Sequence, residues 1–127
     1  MSRKQIRRLI AELRPVMRLE RWKIETVFPE KMNDEEALAE ITRLGDYWEA
    51  RLAVGPKYPT WTKKKAREIL AHELAHLIFA DIDTYVGRLQ EQRLAPAEAK
   101  LEAGNYESLV EAAVDWVGVI VSDGVAW

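Results

Sequence analysis

Over residues 2–14, Ile6, Leu9, Ile10 and Leu13 recur every three or four positions, which places them on one side of a helix. Pro15 interrupts that period. The period then drops to two. Trp22, Ile24, Thr26 and Phe28 alternate with Lys23, Glu25 and Val27, which predicts a strand. Residues 29–34 read as a loop. The stretch 38–44 fits two readings: Asp34, Glu35 and Glu36 can open a short helix, while Leu38, Glu40, Thr42 and Leu44 also fit a strand. Gly45-Asp46 is a turn signal, and residues 47–54, from Tyr47 and Trp48 to Val54, read as the next strand. The two segments around that turn predict a hairpin.

Gly55, Pro56 and Pro59 keep the following loop out of regular structure. Thr60 or Thr62 is the expected cap of a helix over 63–82. Residues 83–103 have helical character interrupted by Pro96. Gly104-Asn105 marks a break, after which Asn105 is placed to cap a last helix over 106–121. Strands and helices are therefore segregated along the chain. The expected class is α+β: an N-terminal helix, a small antiparallel sheet of two or three strands, and two or three further helices. A chain of 127 residues without internal repeats fits one domain, 1–127.

Composition narrows the function. The chain is 48% hydrophobic, with no apolar run near the ~18 residues of a membrane span. Its start has charges spread throughout and no apolar block, so no secretory signal is expected and the cytoplasm is the expected location. The absence of Cys excludes a disulfide framework, a thiol nucleophile and a Cys-based zinc ribbon. Up to Lys23, eight Lys/Arg stand against Glu12 and Glu20, giving +6 and leaving −8 for the rest of a chain whose total is −2. The near-neutral total argues against a protein built wholesale for nucleic acid. A basic first helix could touch nucleic acid or an acidic partner, but no base-stacking aromatics are interleaved with its charges, and a solvated helix face is the preferred reading.

The chemistry lies in residues 72–76, His-Glu-Leu-Ala-His. In a helix, positions i and i+4 share a face with Cβ atoms about 5–6 Å apart. Two imidazoles so placed can reach one Zn²⁺ at ~2.0–2.1 Å per bond. Glu73 is one step round, where a carboxylate can take a proton from a water on the metal. In a shuffled chain of this composition the pattern arises about once in 500, which disfavours two ordinary surface histidines. Leu70, Leu74, Leu77 and Ile78 form an apolar stripe opposite the histidines, and Phe79 lies on the His side.

A catalytic zinc takes three protein ligands and leaves a place for water. With two histidines and no Cys, the third ligand must be Asp or Glu. The last helix is apolar almost all round, so burial is expected, and charges inside it are costly unless paired or bound to metal. Glu111 and Asp115 are such charges, spaced i, i+4. Glu107 competes, although the first turn after an Asn105 cap favours an acid there for its own sake. Glu111 is the preferred ligand. Asp115 is placed to accept the free N–H of a ligand histidine, or to pair with a base such as Arg67 or Arg88.

His72-Glu73-Leu74-Ala75-His76, followed by Glu111-Ala112-Ala113-Val114-Asp115, resembles the gluzincin zinc metallopeptidases, in which a Glu on a later helix is the third ligand, often with Asp four residues on. Helix, small sheet, active-site helix and Glu helix together look like the minimal gluzincins. The chain is similar as well to small zinc-peptidase-like proteins of phages and prophages, through residues 67–77, and to the ImmA/IrrE-like family, which would imply a repressor-directed protease. Val114 replaces an alanine common in such helices. No residue marks an oxyanion stabiliser, since Tyr85 and Tyr106 read as packing residues. SprT-like proteases carry a Cys ribbon, which this chain lacks.

The resemblance implies a zincin-like domain that hydrolyses peptide bonds through a zinc-activated water, with His72, His76 and Glu111 as ligands and Glu73 as general base. It also implies a peptide or protein substrate lying as an added strand on a sheet edge. Residues 47–54 are the expected edge, and Trp48, Tyr58 and Trp61 either line the cleft or serve core and rim packing. No membrane partner is expected, and nucleic acid is disfavoured. The alternatives are a catalytically silent zinc-binding structural or assembly module, phage-derived, and an adaptor working through the basic first helix.

Overall fold

Ser2 starts the first helix, α1 (Arg3–Val16), in the computed structural model, which describes residues 1–45, 48–80 and 96–122. The Gln5 N–H donates to Ser2 Oγ at 3.1 Å and the Ser2 N–H donates to Gln5 Oε1 at 2.8 Å, which satisfies two of the orphan donors of the first turn. The expected stripe is the buried one: Ile6, Leu9, Ile10 and Leu13 all lie in the core. Pro15 does not end the helix but sits in its last turn, where its missing N–H removes only one bond. Arg18 closes the helix with φ 58°. Its N–H reaches Pro15 O at 3.2 Å and the Leu19 N–H reaches Arg14 O at 2.9 Å, a left-handed C-terminal closure usually made by Gly.

Three strands follow: β1 (Lys23–Val27), β2 (Ala39–Arg43) and β3 (Glu49–Val54). The ambiguous stretch is thus a strand. Gly45, with φ 65°, turns the chain between β2 and β3, and the hairpin pairs Ile41 with Leu52. Strand order is β1-β3-β2. The sheet is mixed, not antiparallel throughout, because β1 pairs parallel with β3. The chain between β1 and β2 carries β2 past the vacant position, and β3 then folds back into it. β3 is therefore the central strand. Ala50, Leu52 and Val54 project from it into the core, while Arg51 on the opposite face pairs with Glu25 at 3.3 Å.

Tyr58–Thr60 forms one 3₁₀ turn before α2 (Lys63–Ile78), which Thr62 caps by accepting the Lys65 N–H at 3.1 Å. The helix stops at Ile78 rather than residue 82. Leu70, Leu74 and Leu77 are buried as the stripe predicts, but Ile78 is 41% exposed. The last helix, α3 (Pro96–Ser122), runs through Gly104 and Asn105 without the expected break, so Asn105 is no cap. Glycine in a helix costs about 1 kcal/mol, which a helix of 27 residues tolerates. The Ser108 hydroxyl donates to Gly104 O at 3.1 Å within it. Residues 83–95 of the expected helical stretch lie outside the described residues, as do Asp46 and Tyr47 of the hairpin. No helix among the described residues is long and apolar enough to cross a membrane.

A candidate metal centre

α2 packs against α3 on one flank and against β2 on another. That contact assembles the site. His72 and His76 stand one turn apart with ring centroids 5.2 Å apart at 75°. Across from them, Glu111 of α3 places Oε1 3.2 Å from His76 Nε2 and Oε2 3.6 Å from His72 Nε2. One ligand atom from each of the three residues lies within 4.8 Å of the others, so the group could hold a metal ion. Ligand atoms around a tetrahedral ion at ~2.0–2.1 Å stand roughly 3.3 Å apart. Two neutral imidazole nitrogens and a carboxylate are a fitting donor set for a divalent ion of the zinc type.

Asp115 does not join the three. Its Oδ1 lies 2.7 Å from His72 Nδ1. It accepts the N–H there, which leaves the Nε2 lone pair of His72 facing Glu111. Glu107, one turn before Glu111, is outside the group among the described residues. Because α3 is continuous there, Glu107 is also not in a first turn, and the dipole argument for an acid at that position falls away.

Burial differs from expectation. α3 is not apolar-buried all round: Val114 is fully buried, but Leu109 is 71% exposed, and the Glu111 and Asp115 side chains are 55% and 67% exposed. Among the described side chains, Val114 is buried and Val110 and Val117 pack on the core, while Glu107, Leu109, Glu111 and Asp115 are exposed. Those carboxylates are therefore not forced to pair by burial. They meet the histidines because the seam between α2 and α3 aligns them.

Glu73 is the perturbed group. Burial pushes its carboxyl from an ordinary 4.5 up to about 7, against the lowering effects of His72 and of the Ile41 N–H, with Glu111 and Glu40 adding to the rise. Its Oε2 accepts the Ile41 N–H of β2 at 3.2 Å. The Glu73 carboxylate is thus held between two elements whose bonded residues are 32 positions apart in sequence.

Beside it opens a cleft of about 660 Å³, walled by Leu38, Ala39 and Ile69, with His72, Glu73 and Asp115 facing it. Trp48, Tyr58 and Trp61 do not line this cleft. Trp61 is buried in the core, Tyr58 packs on Phe28 at 5.1 Å, and Trp48 stands edge-on to Trp22 at 5.3 Å. The packing reading of all three holds. Residues 47–54 are not a free edge either, since β3 is paired on both sides. β2 is the edge strand next to the site. Tyr85 and Arg88 lie outside the described residues.

Two contributors escape the sequence reading. The Ile41 donor is a backbone group and leaves no mark in the residue pattern. Gly118 is different. A Cβ there would sit 3.4 Å from His72 Cα and N, so a methyl group just fits and any larger side chain would hold the α3 backbone off α2 at His72. A buried glycine inside an apolar helix is the signal that would have found it.

Comparison with known family models, curated proteins and solved structures returns no match. The case for function therefore rests on the site.

Proposed function

We propose that the protein is a zinc-dependent metallopeptidase. The observation that carries this reading is the convergence of His72, His76 and Glu111 next to Glu73, with His72 and Glu73 facing a cleft. His72 and His76 would hold the ion through Nε2 and Glu111 through its carboxylate. A divalent ion in that position supplies acidification of water and polarisation of a scissile carbonyl.

The chain supplies the rest. Asp115 keeps the His72 proton on Nδ1. The Ile41 N–H fixes Glu73 Oε2, which leaves the other carboxylate oxygen for a water proton. Glu73 takes that proton and returns it to the leaving amine nitrogen. The apolar walls formed by Leu38, Ala39 and Ile69 would receive substrate. The substrate strand is assigned to β2, the edge strand beside α2, rather than to β3.

A silent structural metal module needs a closed shell of four protein ligands. Asp115 is engaged by His72 Nδ1, and Glu107 stands apart, so three ligands converge among the described residues. That arrangement leaves a position open and favours catalysis. The test is zinc content together with hydrolysis of a mixed peptide library. Wild type and Glu73→Gln should each hold about one zinc, and only wild type should cleave. Glu111→Ala should lose the metal and Glu107→Ala should keep it. Zinc-loaded wild type that cleaves nothing, or cleavage undiminished in Glu73→Gln, overturns the peptidase reading.

A further inference from the structure

The N-terminal end of α1 and the start of α2 are far apart in sequence, yet the fold joins them. The Met1 ammonium donates to Tyr58 O at 3.2 Å and to Pro59 O at 3.0 Å. Arg3 Nε donates to the Tyr58 hydroxyl at 3.1 Å. Tyr58 in turn packs on Phe28, and the guanidinium carbons of Arg3 and Arg7 each lie 5.1 Å from the Phe28 ring centre. Around this aromatic pair the surface is basic. α1 exposes Arg3, Lys4, Arg7 and Arg8. Lys57, on the loop before the 3₁₀ turn, and the three lysines at 63–65 add four more exposed cations.

Among the described residues, none of these eight side chains is paired with a carboxylate. The nearby acids are Glu12 and Glu68 on the two helices and Glu30 and Glu35 across a pocket from Lys57, and none of them is ion-paired with these eight cations. No acid stands in the first turn of α2, where three lysines meet the positive end of the helix dipole. Such crowding of like charge costs stability in the free protein, and a polyanion relieves it.

The kind of partner follows from what the face lacks. The apolar side of α1 is spent in the core, with Ile6, Leu9, Ile10 and Leu13 all buried, so α1 cannot insert into a membrane or offer a partner protein an apolar stripe. Among the described residues the exposed large apolar side chains are Trp48, Ile78 and Leu109, none of them on α1 or at the start of α2. Protein docking sites centre on buried apolar anchors, whereas nucleic-acid interfaces are dominated by positive charge. Arg3 and Arg7, stacked on Phe28, are ordered before any ligand arrives, which lowers the entropy lost on binding.

We propose that the outer face of α1, Lys57 and the first turn of α2 form a second site that binds the phosphodiester backbone of a nucleic acid without reading its sequence. The site is independent of the metal centre. Its charges come from the basic N-terminal segment, legible in the sequence, and from residues 57–65, which only the fold adds to it.

Fluorescence anisotropy with a labelled duplex of about 20 base pairs and a single strand of the same length tests the proposal. Wild type should bind one or both with Kd of roughly 10⁻⁶–10⁻⁴ M near physiological salt, falling off linearly in log–log salt plots. The combined variant Lys4→Ala, Arg8→Ala, Lys64→Ala, Lys65→Ala should bind at least about tenfold more weakly, with a salt slope shallower by about 3–4. Circular dichroism and zinc content should match wild type, since none of the four touches core or ligands. A control variant, Lys31→Ala with Arg51→Ala, should bind as wild type. No binding by wild type at about 50 mM salt, or an unchanged salt slope in the fourfold variant, overturns the proposal. Equal affinity for polyglutamate overturns it in favour of an acidic protein partner.

Discussion

His72 Nδ1 and Asp115 Oδ1 meet at 2.7 Å, joining the first residue of the metal motif to a carboxylate 43 positions later on another helix. The contact holds the His72 ring with Nδ1 toward Asp115 and Nε2 toward Glu111. Removing such a partner typically costs 10–100-fold in metal affinity. Asp115→Ala should therefore weaken zinc binding by about that factor while keeping all three ligands. Asp115→Asn, whose amide oxygen still accepts the N–H, should recover part of the loss. Competition with a chromogenic chelator measures both. Equal affinity in Asp115→Ala and wild type would leave Asp115 as surface decoration.

Glu73 predicts a pH dependence in the metal-free protein. Its folded pKa of about 7 stands above the ordinary 4.5. The protonated form is the one the fold accommodates. Its contribution to stability is present below about pH 4.5 and is lost as pH rises through 7. The full span is worth up to roughly 3 kcal/mol. Glu73→Gln removes a carboxylate that must be desolvated and keeps an oxygen for the Ile41 N–H. The stability of chelated Glu73→Gln relative to chelated wild type should rise between pH 5 and pH 8. Urea denaturation at the two pH values reads the difference, and a difference that does not grow with pH contradicts the burial argument.

Gly118 sets the spacing between α2 and α3, the helices that carry the candidate ligands. A methyl group there meets His72 Cα and N at 3.4 Å, ordinary contact. Gly118→Ala should keep zinc affinity and gain helix propensity worth up to about 1 kcal/mol. Gly118→Leu must push the backbones apart, and overpacking of this kind costs about 1–3 kcal/mol. Because the strain falls on the seam that aligns Glu111 with the histidines, zinc affinity should drop with stability. Melting temperature and chelator competition on the pair distinguish spacing from propensity. Full zinc affinity in Gly118→Leu would remove Gly118 from the site's architecture.

Arg18 carries a backbone conformation that suits glycine. A left-handed residue with a Cβ costs roughly 1–2 kcal/mol, and glycine gives back about 0.5–1 kcal/mol through its freer unfolded chain. Arg18→Gly should stabilise the domain by about 0.5–1 kcal/mol. Equilibrium urea unfolding detects a change of that size. A less stable variant would mean that the Arg18 side chain contributes more than its backbone costs.

The residue pattern by itself determined the local elements. Ile6, Leu9, Ile10 and Leu13 specify which side of α1 is buried, Gly45 specifies the hairpin, and Thr62 specifies where α2 begins, because each depends on neighbours within a few positions. The pairing of His72 with His76 is also local, a consequence of one helical turn. Tertiary structure decided the rest. Strand order depends on which flank of β3 the chain from β1 reaches, so 47–54 became the centre of the sheet and β2 its edge. The choice of Glu111 over Glu107 depends on the rotation of α3 against α2, and the two residues differ by only one turn. The reach of α3 through Gly104 reflects packing that outweighs a weak local breaker. The held position of Glu73 comes from a backbone N–H of β2, and the basic face comes from joining residues 3–8 to residues 57–65. Interactions within a turn are written in the order of residues, while those between elements exist only once the core has brought the elements together.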